Sequence, residues 1–428
     1  MDTIYALSSG AVPSGVAVIR ISGPAAGRAA TSLCGPLPEP RRAALRTLKR
    51  PSDGAMLDQG LLLWFPAPRS ETGEDMAELQ LHGSKSVVQA IYDLLRSEGL
   101  RLAEPGEFVR RAFINGKLDL SEVEGLADLV AAETEMQRRQ AIVLASGGLA
   151  RLEEAWRGTL IELRAEIEAR LDFSDEHDVA EALPASFHSG LDAMQLEMME
   201  ALRYADAGER VREGFRVAIL GQPNAGKSSL LNALARRDVA IVTAEPGTTR
   251  DVLEVRLDIG GYPILLYDTA GLREAGSAAE REGVRRARRT AESADLILWL
   301  DDSALPAAEL PLLPDRTIWR LPTKIDLSGC GDPSGFSSKT GEGLEALISR
   351  IGEAASESLG GGSALVTRQR QKQAIGDALA ALDAIPGAPE EIVADLLRSA
   401  SDAIGRLSGR VDVEDVLDRL FGEFCIGK

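Results

Sequence analysis

Cysteine is scarce in this chain: three residues in 428, Cys34, Cys330 and Cys425, far apart and odd in number. No two of them stand at a metal-ligand spacing, so neither a disulfide framework nor a zinc site is expected. Long apolar runs are missing too. None approaches the ~18 residues that span a bilayer. The stretch Met1–Gly10 has neither the basic start nor the apolar core of a secretory signal. The expectation is a reduced, cytoplasmic protein with no membrane association. Positive charge is also short, with 48 Lys and Arg against 66 Asp and Glu, a formal net charge of −18. Such a chain does not wrap nucleic acid with its whole surface, so any such contact is local or supplied by a partner. One basic cluster, Arg41, Arg42, Arg46, Lys49 and Arg50, follows a proline-rich turn and reads as a solvated loop.

What is present is an ordinary globular composition, 44% hydrophobic and 27% charged, long enough for about three domains at roughly 150 residues each. Residues 1–117 read as mixed α and β. Gly15–Ile21 and Leu61–Phe65 are short apolar runs bounded by Gly, Pro or charge, as strands are. Val87, Val88, Ile91, Leu94 and Leu95 repeat at helical spacing. Residues 118–212 are helical, with one apolar stripe through Leu149, Leu152, Trp156, Leu160, Leu163, Ile167 and Leu171 that breaks after Asp172. Residues 213–355 alternate. Strand-like runs at Phe215–Leu220, Leu253–Ile259, Ile264–Tyr267, Leu296–Leu300 and Thr317–Leu321, mostly separated by helical stretches, predict a doubly wound α/β domain.

Gly360-Gly361-Gly362-Ser363 marks a flexible joint. Residues 365–428 are helical again, with a stripe through Ile392, Leu396, Leu397, Ala400, Ile404 and Leu407. Asp412 can cap a last helix carrying Val416, Leu417, Leu420, Phe421 and Phe424. The fold expected is therefore multidomain. An α+β domain is followed by a helical bundle whose two parts pack together, with a Ras-like α/β domain inserted between them.

Gly221-Gln222-Pro223-Asn224-Ala225-Gly226-Lys227-Ser228 fits the phosphate-loop pattern, after a strand and before the helix Ser229–Ala235. Asn224, Ala225, Gly226 and Ser229 would line the nucleotide. Lys227 would pair with its β- and γ-phosphates, and Ser228 would hold magnesium. Four further elements follow in GTPase order. Thr248-Thr249-Arg250-Asp251 offers a threonine hydroxyl, that of Thr249, to magnesium. Asp268-Thr269-Ala270-Gly271 closes a strand near the magnesium shell and the γ-phosphate. Thr323-Lys324-Ile325-Asp326 resembles the guanine reader, Asp326 accepting from the ring N–H and exocyclic amine. Ser337-Ser338-Lys339 matches the last base-contacting loop. Together these make GTP the ligand. Two departures stand out: Thr323 replaces the usual asparagine amide, which predicts reduced guanine affinity, and Leu272 stands where Ras-type enzymes carry a water-orienting glutamine.

Further segments bring a resemblance to a family. Arg20-Ile21-Ser22-Gly23, Thr72-Gly73-Glu74-Asp75, Asn115-Gly116-Lys117-Leu118-Asp119-Leu120, Pro246-Gly247-Thr248-Thr249-Arg250-Asp251 and the terminal Phe424-Cys425-Ile426-Gly427-Lys428 are together similar to the MnmE (TrmE) family of tRNA-modification GTPases. The resemblance implies a homodimer whose GTPase domains meet across their nucleotides. Potassium would be held there by Asn224, Thr243, Glu245 and Thr248, with Glu280 orienting the attacking water. It implies a reduced folate (5-formyl- or methylene-tetrahydrofolate) bound in the first domain by Arg20, Glu78, Lys117 and Lys428. It also implies a flavoprotein partner of the MnmG (GidA) type, using FAD and NADH, and tRNA as substrate. Carbon five of wobble uridine would receive an aminomethyl or carboxymethylaminomethyl group. Cys425 could act as nucleophile or acid, its pKa lowered by the neighbouring lysine, or simply fix the tail. His82 reads as structural. The rival reading is a regulatory or ribosome-assembly GTPase without modification chemistry, which should bring a basic RNA-binding module; none is found.

Overall fold

The computed structural model describes all residues except 1, 173–182, 223, 238, 242–252, 269–289, 304–315, 329–331, 361–363, 410–419, 423, 425 and 428. Its contacts divide the chain into two compact units, Met1–Ala127 with Ile404–Lys428, and Asp128–Ala403.

The first unit is built on a six-stranded sheet. Its strands are β1 (Ile4–Leu7), β2 (Ser14–Ser22), β3 (Ala44–Lys49), β4 (Met56–Phe65), β5 (Met76–Gly83) and β6 (Arg101–Leu102), in the order β3-β4-β5-β2-β1-β6. Neighbours are antiparallel except β1 and β6. Alternation decides the faces. Ala17, Ile19 and Ile21 of β2 join Leu79 and Leu81 of β5 under the helices Ala26–Cys34 and Lys85–Ser97. Ser84 caps the second helix, its side chain accepting from the Ser86 N–H. Cys34 lies in this core, where burial pushes its thiol up to about 12 and keeps it unreactive. The intervening residues Val18 and Arg20 point to the other face. The basic run is only half loop. Arg46 and Lys49 belong to β3 at the sheet edge, where positive charge discourages pairing with a second chain.

In the second unit the expected helical stripe forms the helix Gly148–Asp172, burying Trp156, Leu160, Leu163 and Ile167. It packs with the helix Ala185–Arg203, which packs in turn on Gln369–Asp383. Helices before and after the insertion therefore pack together as expected. Polar contacts tie them: Gln195 Nε2 donates to Asp383 Oδ1 at 2.6 Å, and Lys372 bridges Asp206 and Glu209. Inserted between is a five-stranded sheet of β7 (Phe215–Gly221), β8 (Leu253–Ile259), β9 (Tyr262–Asp268), β10 (Leu296–Asp302) and β11 (Thr317–Thr323). Its order is β11-β10-β7-β9-β8, parallel except for β8 at the edge. Val217, Ile219, Leu298 and Leu300 fill one side with Leu230, Leu234, Leu347 and Ile351 of the helices Lys227–Ala235 and Leu344–Leu359. Among the described residues no helix is long and apolar enough to cross a membrane.

Candidate functional site

The carboxyl ends of the parallel strands are where ligands bind in open α/β sheets. Register places Gly221 of β7 beside Leu300 of β10, Ile219 beside Asp268 of β9, and Asp302 beside Thr323 of β11. The predicted phosphate loop, the aspartate after β9 and the base reader thus leave the sheet from one edge. Gly221 has a φ of 145°, and a Cβ there would come within 2.3 Å of the Leu300 carbonyl, so only glycine lets the loop leave β7 at this point. Asn224 and Gly226 also take positive φ, 64° and 98°, which turns the loop into the start of the helix Lys227–Ala235. That helix start turns backbone N–H groups and a partial positive charge towards a phosphate. Lys227 Nζ donates to the carbonyls of Gly221 and Gln222 at 2.9 and 2.8 Å, spanning the loop from inside. Asn224, Ser228 and Ser229 are exposed at its mouth, while Ala225 is fully buried.

At the base-reading end, Thr323 is buried and its Oγ1 donates to the Ala225 carbonyl at 2.8 Å, lying 3.1 Å from that of Asp301. Lys324 takes a φ of 59° and its Nζ reaches Asp302 Oδ2 at 2.6 Å. Asp326 is exposed. Ser337 is buried and accepts from the backbone N–H groups of Lys339 and Thr340, shaping the loop that presents Ser338 and Lys339. Thr243, Glu245, Thr248, Thr249, Thr269, Ala270, Gly271, Leu272 and Glu280 lie outside the described residues. So does the side chain of Asp268, whose backbone ends β9.

In the first unit the structure brings together segments that the sequence holds far apart. Arg20 and Glu78 face each other across β2 and β5, and Arg20 Nε and Nη2 donate to Glu78 Oε1 at 3.1 and 2.9 Å. Arg20 Nη1 reaches Glu71 at 2.8 Å, and its guanidinium lies 5.7 Å from the Phe108 ring centre. Glu71 belongs to the loop that carries Thr72-Gly73-Glu74-Asp75. That loop is pinned to the end of β2 by Ser22, whose Oγ donates to Glu74 Oε2 at 2.8 Å and lies 2.7 Å from Thr72 Oγ1. It is pinned to the third motif by Asn115 Nδ2, which donates to the Thr72 carbonyl at 2.7 Å. Lys117 Nζ donates to the Pro68 carbonyl in the same loop at 3.2 Å.

Beneath the loop runs an ionic network that local sequence pattern gave no means of finding. Arg111 is nearly buried. Its Nη2 donates to Asp2 Oδ1 at 2.7 Å and Glu107 Oε1 at 2.9 Å, and its Nη1 to the Asp2 carbonyl and to Glu74 Oε2 at 2.8 and 3.0 Å. Arg101 bonds both Asp2 and Glu107 at 2.7 Å. Arg101, aided by Arg111 and opposed by burial, lowers the Asp2 carboxyl to about 2. Burial pulls Glu107 upward, but Arg101, the Glu104 N–H and Arg111 together outweigh it and hold the carboxyl below its usual range.

The chain's end docks on this same unit. Phe421 and Phe424 pack with Val109, Leu120 and Val123, and Ile426 bridges Pro105. Gly427, at a φ of 103°, lies against Leu7, where a Cβ would stand 2.1 Å from the carbonyl. Leu7 adjoins Ala6, the β1 partner of Arg20. Cys425 and Lys428 lie outside the described residues. His82 has its Nδ1 2.7 Å from Asp58 Oδ1, and its N–H donates to Asp58 Oδ2, a tie between β4 and β5.

Comparison with known proteins follows the same division. The model "GTP-binding protein TrmE N-terminus" matches residues 3–117, and "MnmE helical domain" matches 120–425. The tRNA modification GTPase MnmE of Azorhizobium caulinodans is 52% identical over 100% of this chain and 99% of its own length. The protein of the same description from a Methylobacterium species is 51% identical over 100% of both. The solved G domain of the T. maritima FeoB iron transporter is 31% identical, covering 33% of this chain and 98% of that chain, at a TM-score of 0.25, too low to carry an argument.

Proposed function

Since the chain belongs to the MnmE family and is a GTP hydrolase of tRNA modification, we propose that it is a potassium-dependent GTPase acting on carbon five of wobble uridine. It does so with a reduced folate as one-carbon donor and with a flavoprotein partner of the MnmG type, using FAD and NADH, in the cytoplasm. The observation that carries this reading is the meeting, in one unit, of Arg20, Glu78, the loop 66–75, Lys117 and the docked tail. The phosphate loop alone would fit any GTPase. The working division is a folate-binding and dimerisation domain 1–117, a helical domain in two parts, 118–212 and 365–428, and a GTPase domain 213–355.

In that reading Arg20 and Lys117 hold folate carboxylates and Glu78 accepts from pterin amino groups, with Lys428 closing the site. The fit is chemical. Glu71 is well exposed, so its contact to Arg20 can be exchanged for a ligand carboxylate without burying a lone charge. In the nucleotide site Lys227 neutralises phosphate charge, Glu280 positions the attacking water, and Ser228 and Thr249 hold magnesium. Asn224, Thr243, Glu245 and Thr248 hold potassium. The exposed Asn224 amide oxygen and Ser228 hydroxyl are hard oxygen donors, the kind such ions take. Bound there, the ions supply positive charge to the phosphates as the γ-phosphoryl leaves. Leu45 and Leu61, exposed and opposite each other on β3 and β4, supply an apolar patch for the homodimer.

Nucleoside mass spectrometry of total tRNA from source cells lacking the protein tests the proposal. Five-substituted wobble uridines should vanish and return with the wild-type chain but not with Lys227→Ala. Purified protein should hydrolyse GTP faster in potassium than in sodium. Unchanged nucleosides would leave a GTPase without this chemistry.

A further inference from the structure

The side chain at the head of the base reader is unusual, and the structure shows what it touches. Thr323 ends β11 with 2% of its surface exposed, and among the described residues Oγ1 has two hydrogen-bonding neighbours, the carbonyls of Ala225 at 2.8 Å and Asp301 at 3.1 Å. Both are acceptors, so the hydroxyl's single proton is committed inside the protein, chiefly to Ala225. Ala225 is the fully buried centre of the phosphate loop, two residues before Lys227. The main chain of Thr323 is fixed as well. Its carbonyl accepts from Ser303 N–H at 3.1 Å, and it bridges Phe336 beside the loop of Ser337 to Lys339. A hydroxyl one bond from Cβ, buried and turned to the loop, has no donor left for the acceptor edge of guanine, its N7 and O6. Asp326, three residues on, is exposed and carries a carboxylate that can accept from the ring N–H and exocyclic amine.

Resting on the reading of this loop as the GTP site, we infer that Thr323 is a positioning residue. It clamps the phosphate loop to the end of β10 and takes no part in reading the base. The nucleotide is then gripped through the loop that Thr323 holds, and the purine is distinguished by Asp326 without an amide at N7. Removing the hydroxyl should weaken every nucleotide that uses the loop by the same factor.

Affinities of the full chain for GDP and 7-deaza-GDP, which lacks the N7 acceptor, decide this when measured for wild type, Thr323→Ser and Thr323→Val. Thr323→Ser, which keeps the hydroxyl, should stay within about threefold of wild type. Thr323→Val leaves the Ala225 carbonyl without its donor and should bind both nucleotides about tenfold more weakly. The ratio between the two nucleotides should be the same in all three proteins. If valine lowers the preference for GDP over its 7-deaza analogue, Thr323 reads the base and the inference is wrong. If valine binds both as wild type does, the clamp is idle and the inference is equally wrong. A wild-type chain that binds neither nucleotide would instead remove the GTP-site reading on which the inference stands.

Discussion

The phosphate loop of the second unit is held by groups close to it in sequence or at adjacent strand ends: two carbonyls on Lys227, one hydroxyl on Ala225, and glycine where β10 crowds β7. The motif cluster of the first unit is held by charged side chains from Asp2, Glu74, Arg101, Glu107 and Arg111, with the chain's last residues laid against β1. The first arrangement is mostly backbone, so single side-chain changes cost one or two of these hydrogen bonds each. The second shares one buried guanidinium among three carboxylates; Asp2 and Glu107 also hold Arg101, but losing the centre leaves the buried Glu74 carboxylate without its cation.

The largest effect should follow from Arg111→Met, which keeps volume and removes the charge. The cost expected is about 3–5 kcal/mol, read as a lowered urea midpoint with early hydrogen exchange in residues 1–127. A cost near that of Thr323→Val, about 1 kcal/mol, would erase the contrast between the two regions.

Next comes Gly427→Ala, aimed at the tail. At a φ of 103° and 2.1 Å from the Leu7 carbonyl, a new Cβ cannot be accommodated where the glycine sits. The tail must shift, and affinity for 5-formyltetrahydrofolate should fall about tenfold, while potassium-stimulated GTP hydrolysis changes less than about twofold. Isothermal titration and a phosphate-release assay on the same preparation measure both. Equal folate affinity in the two proteins would detach the tail from that site.

The contrast also explains what could be read in advance. The phosphate loop is contiguous, and its glycines and lysine imply their geometry from spacing alone; β7 announces itself as an apolar run ending in glycine, and β8 and the stripe of Gly148–Asp172 by period. β1, with four residues, and β6, with two, are too short for any period to register. The ion network was invisible for another reason. Asp2 meets Arg101 and Arg111 across 99 and 109 residues, and nothing local distinguishes those arginines from solvated ones. Thr323 was legible as a missing amide, but the carbonyls it bonds come from other strands and loops. The tail motif Cys425-Ile426-Gly427-Lys428 suggested proximity to Arg20, and packing of Gly427 beside Leu7 brings the described part of it to β1.

The smallest effect is a dependence on pH, and its sign follows from the carboxyls. Asp2 and Glu107 are both held below their usual range in the folded chain, Asp2 at about 2. Groups depressed by folding stabilise it while ionised, so their contribution is whole above the ordinary carboxylate range and fades as pH falls through the folded values. Asp2's side chain is more than half exposed, and solvent screens its pairing with Arg101 and Arg111. Its share is therefore under about 1 kcal/mol. Asp2→Asn should be less stable than wild type by that margin at neutral pH, and urea unfolding should show the gap closing as the pH is lowered towards 2. A gap that does not change with pH would mean that Asp2 acts through hydrogen bonds an amide also makes. The first unit would then owe its cohesion to Arg111 and Glu107, and the charge on its first acidic residue would be incidental.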